Sequence, residues 1–296
     1  MGPRSAAGSG AREISYRRLV KVGNSVYVSV PRGWIESRGL GPGSLVAVEA
    51  VEGGLLLKPL SGPPGEPKAK RLVGGRSRDV IAAYLAGYEV IEVEKPAQEL
   101  REALERLLNL LVGVEVVEDR SDRVVLHCFV GESYDLRSVL ARMDSLSRSM
   151  YVDAAAALER GDLEALESVR RRDDKLDRLY FLSVRLIRSA VQSAGISAQE
   201  RLFLVDARLF AKLLEEIGDE AERMTHLRPA EGLAEAARVV ESFQREAVKA
   251  FLSGGAACPL PGEAAVTPHL RSSEGAFSAL ERIYRLVLDL TELASH

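Results

Sequence analysis

The 296-residue chain is 46% hydrophobic and 28% charged, with a formal net charge of -3, a composition that builds globular cores and excludes disorder as the default state. It has no run of about 18 apolar residues, and its start, MGPRSAAGSGAR, has no apolar leader core, so neither a spanning helix nor a secretory signal is expected and the reading is cytoplasmic. The two cysteines, Cys128 and Cys258, lie far apart without ligand-like spacing, which excludes a disulfide framework and leaves them as buried or incidental thiols.

The charge is unevenly placed. Up to Leu72 there are eleven Lys/Arg against five Asp/Glu, so a head of about +6 precedes a body of about -9. Such a head suits a polyanion, and such a body suits cations.

After a flexible tail over 1–14, the segment 15–60 carries four short β-type runs, 16–22, 26–30, 44–51 and 55–60, separated by turn residues. Between the second and third runs, Pro31 can open a short helix over 32–38, which Gly39, Gly41, Pro42 and Gly43 then end. About 45 residues cannot bury a core alone, and without cysteines or metal ligands a core shared between two copies is the simplest solution. The stretch VKVGNSVYVSVPRGWIESRGLGPGSLVAVEAVEGGLLLKP resembles the AbrB/MazE swapped-hairpin domain, closest to its MazE-like branch. It shares the Gly-Asn-Ser turn, the apolar-Pro helix start, the Leu-Gly-Pro-Gly loop and the closing hairpin in order. The resemblance implies an intertwined β dimer that binds DNA through its first strand and the turn after it. By matching positions Lys21, Asn24 and Ser25 would face DNA, and Arg17, Arg18 and Arg32 are added on electrostatic grounds. Ser29 stands where MazE-like readers often carry a basic residue.

A Pro/Gly/Lys linker, SGPPGEPKAK, follows over 61–70. The block 71–131 alternates: strand 71–73, helix 77–88, strand 89–94, helix 97–112, then a hairpin of 114–118 and 123–130, a small α+β layer. Its VGGRSRD lacks the full glycine fingerprint of a phosphate cradle and reads as an ordinary turn with solvated arginines. From Leu136 the period is helical, with helices near 134–160, 162–194, 197–227, 231–254 and 272–294 broken at Gly161-Asp162, Gly195 and Pro229, and with a loop over 253–269. Short turns among the first three make an antiparallel three-helix bundle over 132–228, which the helices of 229–296 extend. The fold class is multi-domain α+β: a small all-β head, an α+β middle layer and a helical bundle.

Two acidic pairs stand in that bundle. RRDDKLDRLYF sets Asp173 and Asp177 one turn apart, and LLEEIGDEAERM does the same for Glu215 and Asp219, so each pair shares a helical face. With 43 acids in the chain, spacing alone favours two solvated faces. Residues 136–226, however, resemble one three-helix repeat of the PhoU family, which carries an (E/D)xxxD motif in its second helix and a Leu-Glu-x-Ile-Gly-Asp form in its third. Ile217 and Gly218 match along with the acids. The resemblance implies a metal site built by Asp173, Asp177, Glu215 and Asp219, with Asp174, Glu216 and Glu222 as further candidates, and a role in phosphate-responsive regulation. Oxygen donors without thiols suit a divalent or iron-type cation rather than structural zinc. A full PhoU protein has two such repeats, whereas here Glu281 is followed four residues later by Arg285, so a second site is not expected.

Catalysis is not expected. None of His127, His226, His269 and His296 has an acid three residues before it, and no nucleophile elbow, P-loop or HExxH pattern is present. The two resemblances in this order are similar to the archaeal phosphate uptake regulators that fuse an AbrB-type head to a PhoU body. They imply DNA, a second copy of the chain, and a phosphate transporter subunit or sensor as partners. The alternative is a dimeric adaptor that docks a transporter or sensor without binding DNA.

Overall fold

Alternating apolar and polar residues, punctuated by glycine and proline, fold the start of the chain into two hairpins. The computed structural model describes residues 16–51, 54–59, 67–130, 134–193, 195–254 and 275–295. The expected tail over 1–14, Cys258, His269, His296 and most of the expected linker and of the loop after Ser253 lie outside them. Two compact units divide after residue 65.

In the first unit β1 (Val20–Val22) and β2 (Ser25–Tyr27) pair antiparallel around Gly23-Asn24. Gly23 holds a φ of 62°, which a two-residue hairpin turn demands and a side chain would disfavour. Both strands are shorter than the runs 16–22 and 26–30, because the flanking residues find no ladder partner within one chain. Helix α1 (Arg32–Ser37) begins directly after Pro31. Strands β3 (Val46–Val51) and β4 (Gly54–Pro59) form the second hairpin, with Val48 opposite Leu57 and Glu49 opposite Leu56. No residue described in this unit is buried.

The second unit opens with a mixed sheet. Strand β5 (Ala69–Val73), which starts inside the stretch read as a linker, pairs in parallel with β6 (Val90–Glu94) through the crossover helix α2 (Ser77–Leu85). Strands β7 (Val114–Arg120) and β8 (Arg123–Cys128) complete the order β5-β6-β8-β7. The turn at VGGRSRD is an ordinary helix start: the Arg76 N–H donates to the Asp79 carboxylate at 2.9 Å. The single helix expected over 97–112 is instead two, α3 (Gln98–Glu102) and α4 (Leu104–Leu110), parted at Ala103. The break keeps Leu100, Leu107 and Leu111 in one core with Tyr84, Ile91 and Leu126. Cys128 is buried there as a free thiol.

The bundle follows. Helix α5 (Leu136–Arg160) is capped by Asp135, α6 (Leu163–Gln192) by Asp162 and α7 (Ala198–Met224) by Ser197, each side chain accepting a backbone N–H three residues on. These three pack on one another, α8 (Leu233–Ser253) packs on α5, and α9 (Ala276–Leu293) bridges α7 and α8. Helices α2 and α4 lie against α6. There the buried Arg185 guanidinium donates to the Tyr84 and Tyr88 carbonyls at 2.5 and 3.0 Å, ending α2 on the bundle. No helix among the described residues is long and apolar enough to cross a membrane.

Candidate functional site

The acidic motifs meet where α6 and α7 pack tightly against each other. Leu176 and Ile217 are fully buried between the helices, and Gly218 is the position at which α7 approaches α6 without a side chain. A Cβ placed on Gly218 would also lie 3.7 Å from Asp173 Oδ1. Around this contact Asp177, Glu215 and Asp219 bring carboxylate oxygens within 4.8 Å of one another. Three of the four expected ligands therefore converge. Asp173 stands beside Gly218, one turn earlier on α6, outside that tight group.

Electrostatics follow from packing like charges at a half-buried seam. Burial, then the charges of Asp177, Asp219, Glu222 and Asp174, push the Asp173 carboxyl up to about 7. Burial and Glu215 push Asp219 up to about 6, against the opposing pull of Lys212. Asp177 is raised by burial and by Glu215. Like charges so close resist ionising together, and a cation between them removes that penalty. The donors are all hard oxygens, which fits a divalent or iron-type ion.

Lys212 is the residue the motif does not name. It forms an ion pair with Glu215 and a second, at 3.4 Å, with Glu216, so the chain's own ammonium occupies part of the charge field. Its spacing three residues ahead of Glu215 is visible in the sequence, but such a pair reads as an ordinary solvated one. Of the further candidates, Glu216 is held by Lys212, Glu222 pairs with His226 at 3.2 Å, and Asp174 is exposed. Arg285 is engaged by Glu281 at 2.5 Å, so among the described residues α9 adds no second acid pair there.

In the head, Arg17 and Arg18 precede β1, Lys21 sits within it opposite Val26, Asn24 is in the turn, and Ser25 opens β2. All five are exposed. Arg32 is exposed at the start of α1 but bonded to Glu36 at 2.7 Å, so its charge is partly offset. The second hairpin has two unlike faces. Glu49 and Lys58 are joined at 2.6 Å on one, while Val46, Val48, Ala50, Leu55, Leu57 and Pro59 make the other wholly apolar.

The family model described as PhoU domain matches residues 140–227, the span of α5, α6 and α7, and the model described as antidote-toxin recognition MazE, bacterial antitoxin, matches residues 19–65. The chain joins a MazE-type head to a PhoU-type body. No curated protein and no solved structure matches it. The PhoU-type match contains both acidic pairs, Gly218 and Lys212, and the MazE-type match contains Lys21, Asn24, Ser25 and Arg32 while Arg17 and Arg18 lie just ahead of it.

Proposed function

We propose that the protein is a phosphate-responsive regulator. Its head dimerises and binds DNA, and its helical body holds a cation between α6 and α7. The observation that carries the reading is the convergence of Asp177, Glu215 and Asp219 within 4.8 Å at a Gly218-permitted helix approach. The matched families support a phosphate-related regulator.

In this reading Asp177 from α6, with Glu215 and Asp219 from α7, would hold the ion, and Asp173 stands ready as a fourth donor from the next turn. A bound cation supplies positive charge where these carboxylates repel one another. The chain's own part is to hold the donors on two rigid helices, to exclude water along the Leu176–Ile217 seam, and to offer Lys212 as the competing counterion. Occupancy would change how tightly α6 and α7 close, and that change would bias the head's affinity for DNA. The exposed apolar face of β3 and β4 supports dimerisation, since burying it needs a second chain. Arg17, Arg18 and Lys21 would meet phosphates, with Asn24 and Ser25 in the turn.

Elemental analysis of full-length protein purified without chelator, beside an Asp177→Asn, Asp219→Asn double variant, tests the cation site. The wild type should carry metal and the variant little; equal content in both removes the site. A salt-dependent mobility shift tests the head, and failure to bind any duplex at low salt removes DNA from the reading.

A further inference from the structure

A second concave site lies elsewhere on the bundle. A cavity of about 560 Å³ opens between α5, α6 and Val112 in the turn after α4, with Val139, Leu179 and Leu182 among its walls and Arg142, Lys175 and Arg178 around it. Val139 and Leu182 are buried, whereas the three cations are exposed, so the apolar groups form the floor and the charges the rim. That volume falls within the roughly 300–1,000 Å³ of small-molecule sites, which pair apolar walls with a few convergent polar groups.

Cations on this bundle are of two kinds, paired and unpaired. Arg148, Arg170, Arg172 and Arg282 of the same bundle each hold a carboxylate. No carboxylate among the described residues pairs with Arg142, Lys175 or Arg178, and the hydroxyls of Tyr134 and Ser145 on the same wall likewise bond to no described residue. Three cations from two helices thus line one apolar mouth, with the exposed Asp174 beside Lys175 on α6 but no described carboxylate paired to them, and a guanidinium fork suits phosphate or carboxylate oxygens. The site is separate from the carboxylate seam. At about 100° per residue, 175, 178 and 182 lie on the side of α6 opposite Asp173 and Asp177.

We infer that this cavity binds a small organic anion with an apolar body, its charged group held by Arg142, Lys175 and Arg178 and its body set on Val139, Leu179 and Leu182. A nucleotide and an acyl carboxylate share that chemistry.

The test uses full-length protein and the fluorescent probe anilinonaphthalene sulfonate, with ATP and decanoate as competitors. The wild type should show saturable one-site binding. The combined Arg142→Gln, Lys175→Gln, Arg178→Gln variant should bind about tenfold or more weakly with an unchanged unfolding temperature, because all three positions are exposed. A Ser145→Trp variant, which keeps the charges and fills the mouth, should lose the probe too. Displacement by ATP assigns a phosphoryl ligand and displacement by decanoate an acyl one. Non-saturable binding, equal affinity in the variants, or displacement by neither competitor overturns the site.

Discussion

Leu176 and Gly218 meet across the α6–α7 seam so closely that a Cβ at position 218 would lie 2.1 Å from Leu176 Cδ2. Leu176 is fully buried, so its methyl cannot swing aside into solvent. Glycine in mid-helix costs roughly 1 kcal/mol against alanine, and the helix approach is what that cost permits. Gly218→Ala would recover the propensity but overpack the seam at about 1–3 kcal/mol. The expected net change is a loss of up to about 2 kcal/mol, read as a fall of several degrees in the unfolding temperature. Cation binding by calorimetry should weaken with it. An alanine variant as stable as the wild type, with unchanged metal affinity, would show that the approach has no role in the site.

The raised carboxyls predict a pH dependence of known sign. Asp173 and Asp219 titrate near 7 and 6 in the fold and near 4 when unfolded. Between those values the folded state keeps protons that the unfolded chain has lost, so stability falls as pH rises from about 4 to about 7. Asp135, Glu94 and Glu241 are shifted the other way; their contributions are lost only in more acid solution and do not oppose the trend above pH 5 or so. Chelator-treated protein should therefore melt at a lower temperature at pH 8 than at pH 5. Asp173→Asn should flatten that slope without abolishing it, because Asp219 and the buried Asp144 share the sign. A melting temperature independent of pH over this range in chelator would contradict the account.

The long helices are legible in sequence because each break carries its own chemistry: Gly161 takes a left-handed φ of 67° after α5, and Asp162 and Ser197 stand at the caps of α6 and α7. The break at Ala103 is not legible, since REALERLLNL keeps one helical period and only the fit of Leu100 and Leu107 against the sheet parts it. The acidic spacing placed each pair on one helical face. Which oxygens converge depends on the axial offset between α6 and α7, and that offset brings Asp177 rather than Asp173 into the tight group. Lys212 could be read only as a helical neighbour of Glu215; its place in the charge field of Asp219 follows from the packing.

Lys212 then has a testable part. Its ion pair with Glu215 competes with any cation that draws on the same carboxylate. Lys212→Met keeps the apolar stem and removes the charge. Partly exposed pairs of this kind contribute at most about 1 kcal/mol, so manganese affinity should tighten by about two- to fivefold, while the chelator-treated variant becomes less stable. Calorimetric titration at fixed pH separates the two effects. Weaker metal binding in the variant would instead make Lys212 a support of the site rather than a competitor.

The head offers a prediction about assembly. Val48 and Leu55 are 59% and 66% exposed, on the β3–β4 face that carries no polar side chain. Covering a valine or leucine contributes about 1.5–3 kcal/mol each, so this face is where a second copy would gain most. Val48→Asp puts a charge at the centre of that face and leaves the Glu49–Lys58 ion pair on the other side untouched. In sedimentation velocity the full-length wild type should run as a dimer and the variant as a monomer, and the variant should lose duplex binding at low salt. Lys21→Glu separates the two roles. Lys21 lies on β1, paired with Val26, in the other hairpin, so the variant should remain dimeric and still fail to shift DNA. If Val48→Asp stays dimeric, copies associate through other surfaces; if Lys21→Glu binds duplex normally, the basic strand does not meet the phosphates and the head serves to pair the chains.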